Sequence, residues 1–291
     1  MNQRAEDAFR ADIVEVGRRM YARGYVASND GNISIRLDDD TILTTPKSVS
    51  KGFMTPDMMV VTDLGGKKIR GTRDASSELL MHLEVYKNRP DARSVVHAHP
   101  PTATGFAVAG IPLDRAVLAE VVTTLGSIPI AEYGTPSTPE LPEAVRKYIK
   151  AHDGLLLANH GALTVAGDVF GAYYKMETIE HFARISLVAR QLGREHLLSR
   201  EEVTRLQGLR GNYGIKSPAP ICAEGSTAPP SDEDPATCQI IQSPASLSGS
   251  GGARLIPTDP SDLDGEIRLS YRELTALIED AVKALLGGQH G

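Results

Sequence analysis

The chain has 291 residues, 41% of them hydrophobic and 23% charged, enough apolar mass for one large domain or a domain with an appendage. Its net charge of −6 leaves no basic footprint for nucleic acid, no apolar run reaches membrane-spanning length, and Met1-Asn2-Gln3-Arg4 does not begin a signal peptide. Both cysteines, Cys222 and Cys238, fall in the least structured part of the sequence, which argues against a core disulfide and fits a reducing cytoplasm.

Phe9, Ile13, Val16 and Met20 recur at helical spacing over Glu6 to Arg23, and Gly24 stops that helix. After the turn Ser28-Asn29-Asp30-Gly31, the stretches 32–37 and 41–44 read as a hairpin, and 58–62 with 67–69 as another around Gly65-Gly66. Thr45 to Gly52 reads as loop. Ser76-Ser77-Glu78 opens a helix to about Asn88, with serine oxygens for the cap and Glu78 in the first turn. Val95 to His99 is a strand stopped by Pro100-Pro101. Helices are predicted over 102–108, 118–125, 141–151, 169–192 and 200–209, and strands over 128–130 and 154–158.

Side chains alternate faces along a strand, so His97 and His99 project from one face, and the 154–158 strand delivers Asn159-His160-Gly161. A lone histidine is more often a satisfied core or surface residue; a His-x-His pair, with a third histidine after another strand, shifts the balance toward a metal. Catalytic zinc typically takes three protein ligands and leaves a position open. Glu78 is the fourth candidate. His82 is read as a hydrogen-bond partner behind the ligands more than as a ligand, and His152, His181, His196 and His290 as surface residues. Ser76 and Ser77 either cap their helix or, with its free N–H groups, hold a phosphate; Asn32 and the loop Thr45-Pro46-Lys47-Ser48 add donors.

In order along the chain stand Gly-Asn-Ile-Ser at 31–34, Thr-Pro at 45–46, Ser-Ser-Glu at 76–78 with His82, His-Ala-His-Pro at 97–100 and Asn-His-Gly at 159–161. From about residue 6 to 216 this resembles the class II aldolase/adducin family, whose zinc enzymes include the L-fuculose-1-phosphate aldolases. The resemblance implies a three-layer α/β/α fold with a central mixed, largely antiparallel sheet. It implies one Zn2+ per subunit held by His97, His99, His160 and Glu78, with Glu78 then serving as acid and base. Asn32, Ser76 and Ser77 would hold a substrate phosphate, with Lys47 and Ser48 contributing. Fuculose aldolases usually have a small residue and glycine where this chain has Lys47-Ser48. Tyr213 is nominated by the segment Asn212-Tyr213-Gly214-Ile215-Lys216, whereas the tyrosine those aldolases carry after an Ile-Pro pair is absent here, Ile111-Pro112 leading to Asp114-Arg115-Ala116.

The implied reaction is retro-aldol cleavage of a ketose 1-phosphate of the L-fuculose or L-rhamnulose type to dihydroxyacetone phosphate and L-lactaldehyde, zinc acting as Lewis acid. Alternatives within the family are a ribulose-phosphate 4-epimerase and a methylthioribulose-phosphate dehydratase; outside catalysis stands an adducin-like scaffold. The family also suggests a homotetramer.

Residues 217–267 are rich in Pro, Ser and Gly and read as a disordered linker. In 268–288, Ser270-Tyr271-Arg272-Glu273 forms a capping box and Leu274, Leu277, Ile278, Ala281, Val282 and Leu285 one apolar stripe. A short amphipathic helix on such a tether resembles the peptides that direct enzymes into bacterial microcompartments, which would make a shell protein its partner; docking on its own subunit is the alternative. Glu273, Glu279 and Asp280 on its polar face argue against a membrane surface.

Overall fold

Aliphatic residues on strands that are mostly buried on both faces build one eight-stranded sheet, and helices cover both sides of it. The computed structural model describes residues 3–215, 221–223, 239–241 and 275, and contacts divide the chain after Leu247, so all of these but Thr275 belong to the first unit. In chain order the elements are α1 (Gln3–Ala22), β1 (Asn32–Arg36), β2 (Thr41–Thr44), β3 (Val60–Asp63), β4 (Lys68–Arg70), α2 (Leu79–Asn88), β5 (Ser94–Ala98), α3 (Pro101–Val108), α4 (Ala119–Thr124), β6 (Ile130–Ala131), α5 (Glu140–Ile149), β7 (Gly154–Leu157), β8 (Gly161–Ala166), α6 (Val169–Gln191), α7 (Arg200–Gly208), β9 (Ile221–Ala223) and β10 (Gln239–Ile241). The large sheet runs β4-β3-β2-β1-β5-β8-β7-β6. Its pairs are antiparallel except β6 with β7, the mixed, largely antiparallel arrangement that the family resemblance implies.

On one face Ile13, Val16 and Met20 of α1, Phe106 of α3 and Met176, Ile179 and Phe182 of α6 pack on Ile33, Val96, Ala98 and Ala162. On the other, Met81 and Val85 of α2 and Val145 and Ile149 of α5 pack on Ile42, Val95, Leu155, Leu163 and Val165. Burying each of the Val, Ile, Leu, Met and Phe side chains among these contributes about 1.5–3 kcal/mol. Strand alternation therefore puts His97 on the face of Val95, toward α2.

Four features depart from the sequence reading. Strand β8 is absent from it: Gly161 to Ala166 is small-residue-rich and buried on both faces, so it carries no alternation to read. Helix α2 begins at Leu79, with Glu78 at the cap position and no side-chain cap bond; the Ser76 hydroxyl accepts from the Glu78 N–H at 3.3 Å in a turn before the helix. The Glu78 carboxylate is drawn elsewhere, as described below. His152 is not a surface residue. It is 1% exposed in the turn between α5 and β7, with Nδ1 donating to the Ser127 carbonyl at 3.2 Å, and one residue in a turn shows no periodicity that would reveal its burial. Finally, within the stretch read as linker, β9 and β10 form a parallel pair. There the Ile240 N–H donates to Asp114 and its carbonyl accepts from Ala116 (2.8 and 2.9 Å), and Ile241 is buried against Ala116, Val122 and Val203. The predicted tail helix, 268–288, lies outside the described residues apart from Thr275, which is helical.

Candidate metal centre and anion pocket

The register of three antiparallel strands positions the histidines. Asn32 of β1 pairs with His97 of β5, and His97 pairs with Leu163 of β8. His99 follows the end of β5, its N–H held by the Tyr25 carbonyl at 2.9 Å. The β7–β8 turn carries His160 through Asn159, whose φ is 55°, a left-handed conformation that asparagine tolerates better than most residues. Gly161 makes the approach possible: a Cβ there would stand 2.5 Å from the Ala98 carbonyl and 2.6 Å from the His99 ring.

The three rings meet edge to face, with centroids 4.7 to 5.0 Å apart. His97 Nε2 and His99 Nε2 are 3.1 Å apart. Glu78 places Oε1 3.0 Å from His160 Nε2 and Oε2 3.5 Å from His97 Nε2, while the Asn32 amide donates to Oε2 at 2.7 Å. Burial keeps His97 well below the usual imidazole range despite Glu78, and His99 is lowered by burial and then by His160. For Glu78 burial acts upward, but His97, His160 and the Asn32 amide outweigh it and hold the carboxyl below its ordinary range. The tautomers follow from the outer contacts. His97 Nδ1 donates to the Ala162 carbonyl at 2.9 Å, and His99 Nδ1 faces Asp30 Oδ2 at 3.4 Å. The two Nε2 atoms then present lone pairs to each other, an arrangement that is repulsive unless a proton or a metal cation lies between them. The 3.1 Å spacing is close to the roughly 3.3 Å separating two nitrogens on a tetrahedral zinc. Among the described residues, His97, His99 and His160 are the group that could hold a metal ion.

His82 stays outside the cluster. It is fully buried, with Nδ1 2.7 Å from the Ser34 hydroxyl, which in turn is 2.8 Å from the Tyr86 hydroxyl; burial lowers it to about 4.

A cavity of about 210 Å3 opens beside the cluster, and Asn32, Lys47, Ser48, Ser76, Ser77, Glu78 and His99 all line it. A short bridge, Pro46 with Ala75, brings the two donor segments together, Ser76 N–H bonding the Thr45 carbonyl and Lys47 N–H that of Asp74. Ser48 has φ 58°, so the loop keeps a left-handed backbone, the conformation glycine takes most cheaply, with serine in that place. Five wall residues were not read from sequence as site residues: Asn29, Asp30, Lys51, Pro136 and Ser137. Asn29 and Asp30 directly precede the Gly31-Asn32 motif; the others carry no periodic signal. A larger cavity, about 850 Å3, lies on the outer side of α6 and contains none of these groups.

Tyr213 is placed apart. Its backbone ends the turn Arg210–Tyr213, anchored to α4 by the Arg210 guanidinium on the Val122 carbonyl at 2.9 Å; its side chain lies outside what the structure describes. Gly214 and Ile215 line a different cavity with Arg89, Asp153 and Lys175.

The model of the class II aldolase and adducin N-terminal domain matches residues 11–187. The chain belongs to the class II aldolase and adducin family. An L-fuculose phosphate aldolase of Methanococcus maripaludis is 34% identical over 62% of this chain and 97% of its own length. A 3-oxo-tetronate 4-phosphate decarboxylase of Pectobacterium atrosepticum is 30% identical (63% and 86%), and a 5-deoxy-D-ribulose 1-phosphate aldolase of Bacillus thuringiensis 32% (70% and 96%). A solved L-fuculose 1-phosphate aldolase superposes with TM-score 0.66 at 27% identity, over 72% of this chain and 97% of that one. Aldolases and decarboxylases both cleave carbon–carbon bonds, and this class II aldolase family member is an enzyme of that lyase class. Among its described residues no helix is long and apolar enough to cross a membrane.

Proposed function

We propose that the chain cleaves a ketose 1-phosphate of the L-fuculose or L-rhamnulose type to dihydroxyacetone phosphate and L-lactaldehyde. The observation that carries this reading is one cavity lined by candidate phosphate donors together with Glu78 and His99, the latter a member of the three-histidine cluster. His97, His99 and His160 would hold Zn2+, with Glu78 as a fourth ligand before substrate enters. When bound, the metal supplies Lewis acidity at the oxygens where negative charge develops as the bond breaks. Ser76, Ser77, Asn32, Lys47 and Ser48 bind the phosphate, which takes no part in bond changes and so spends its binding energy on position. Glu78 moves the proton at the carbon that becomes nucleophilic, and Asn32 orients it through the 2.7 Å bond.

The decarboxylase relative favours a second reading with the same first half. Loss of CO2 from a 3-oxo-tetronate 4-phosphate, like loss of an aldehyde from a ketose 1-phosphate, leaves the enediolate of dihydroxyacetone phosphate. The reactions differ only in the leaving fragment, beside which the family resemblance nominates Tyr213; the same resemblance suggests a homotetramer. Metal analysis, with dihydroxyacetone phosphate release from a panel of both substrate types, tests the proposal. Release with aldehyde supports the aldolase and release with CO2 the decarboxylase; a metal-free protein that cleaves neither refutes both.

We also propose that residues 268–288 form a recognition helix for a microcompartment shell protein, on the strength of their capping box and apolar stripe. Deleting 269–291 then leaves cleavage intact and abolishes co-purification with shells; loss of activity, or unchanged co-purification, refutes the assignment.

A further inference from the structure

Lys51 is a buried charged group that the reaction above does not use. It opens the turn Lys51–Phe53, is 2% exposed, and lines the anion cavity. Its backbone is fixed against α1: a Cβ on Gly17 would stand 2.7 Å from the Lys51 carbonyl. Its ammonium donates to the Asn29 carbonyl at 2.9 Å and the Val49 carbonyl at 2.7 Å. One side chain thus joins the turn leading to Asn32 and the loop following Lys47-Ser48.

Two carbonyls satisfy two of the three ammonium protons and none of its charge. Among the described residues no carboxylate forms an ion pair with it; Asp30 and Glu78 act on it from further away, and burial still pushes it down to about 8. A buried cation without a counter-ion is unfavourable, and this one borders a cavity whose serine donors offer hydrogen bonds but no charge. Lys47, the other cation there, is exposed and screened by solvent.

We propose that Lys51 is the fixed counter-charge of the phosphate pocket, a positioning residue that ties its two donor loops together and balances the dianion of a phosphorylated substrate. The inference rests on the sugar-phosphate reading above and names a group within that site. The same geometry would serve a purely structural clip, so the test must separate charge from shape.

The full-length, metal-loaded protein is compared with Lys51→Met and Lys51→Arg, using inorganic phosphate as the probe by calorimetry, together with KM and kcat for a ketose 1-phosphate. Lys51→Met is expected to keep its metal, to lose phosphate affinity by on the order of 10-fold or more, and to raise KM far more than it lowers kcat. Lys51→Arg is expected to restore most of that affinity. In the wild type, phosphate affinity is expected to fall as pH rises from about 7 to 9.5, because the ammonium is lost, and in Lys51→Arg to hold. The charged or titratable groups facing Lys51 are Asp30 and Glu78, with Lys47 and His99 on the same wall, and all four are present in both proteins. A folded Lys51→Met that binds phosphate like the wild type overturns the proposal. Should that variant not fold, identical alkaline behaviour of wild type and Lys51→Arg overturns it. A wild type that binds phosphate while Lys51→Met does not supports it. A wild type that binds neither phosphate nor ketose 1-phosphate defeats the sugar-phosphate reading itself, and this inference with it.

Discussion

Replacing Glu78 with glutamine separates its two proposed duties, because the structure dictates how the amide must sit. The Asn32 amide points a donor at Oε2 from 2.7 Å, so the Gln oxygen has to occupy that side. The Gln amino group then faces His160 Nε2, where the carboxylate oxygen stood 3.0 Å away. The variant keeps all three imidazoles but replaces the acceptor facing His160 Nε2 with a donor and removes a negative charge, so metal binding should weaken yet persist. The proton transfer should suffer far more. A positioned general base contributes about 10²–10⁴-fold, or roughly 3–5 kcal/mol of barrier at about 1.4 kcal/mol per decade. Elemental analysis of protein equilibrated with excess zinc gives occupancy, and dihydroxyacetone phosphate release coupled to NADH oxidation gives kcat. The expected result is near-full occupancy with kcat down by at least about 100-fold and phosphate affinity unchanged. A kcat within about threefold of wild type at full occupancy would show that Glu78 is not the base. Loss of metal, with activity recovered at higher zinc, would make it a ligand only.

Two further outcomes follow from the surroundings of the site. Burial lowers His152 from 6.5 to about 4; since the folded pKa is the lower one, its stabilisation is present above about pH 6.5 and is lost as pH falls toward 4. At 1.36 kcal/mol per pH unit that is about 3 kcal/mol. Chemical denaturation of metal-free protein at pH 7.5 and 4.5 should show His152→Leu losing less stability than wild type by about that amount; equal losses would exclude the histidine as the cause. Gly161→Ala puts a methyl 2.5 Å from the Ala98 carbonyl and 2.6 Å from the His99 ring. An overpacking cost of about 1–3 kcal/mol is expected, with zinc affinity falling alongside the melting temperature, and an alanine variant with wild-type affinity would show that the turn yields to the methyl without moving the rings.

What was legible in the sequence is whatever depends on local period. Alternation in Val95 to His99 placed two histidines on one face, and they do converge at 3.1 Å; the apolar stripe Phe9, Ile13, Val16 and Met20 placed α1. What was not legible depends on residues remote in sequence. Lys51 matters only because the chain brings Asn29 and Val49 to its ammonium, and a single lysine in a loop has no pattern to betray that. Strand β8 lacks alternation because both of its faces are covered. The start of α2 was misread for an instructive reason: Ser-Ser-Glu has good capping chemistry, but Glu78 turns its carboxylate to His160 and Asn32 instead.

That division also explains why the reaction class could be read before the sugar. His97 faces α2 because β5 pairs with β1 and β8 in one register, Asn32 opposite His97 and Leu163 opposite His97. A slip of one residue would send both histidines toward α1, α3 and α6 and turn Val96 toward α2, exchanging polar and apolar groups between two packed layers, which the register resists strongly. The histidine cluster therefore inherits the rigidity of the sheet. The wall of the adjoining cavity is made differently, from the loop at Lys47-Ser48 and the turn at Pro136-Ser137, with left-handed backbone at Ser48 and Ser137. Loop positions of this kind can change residue without disturbing the register. Selectivity between an aldehyde and CO2 as leaving fragment should accordingly respond to substitutions at Ser137 or Lys47 while metal affinity stays fixed.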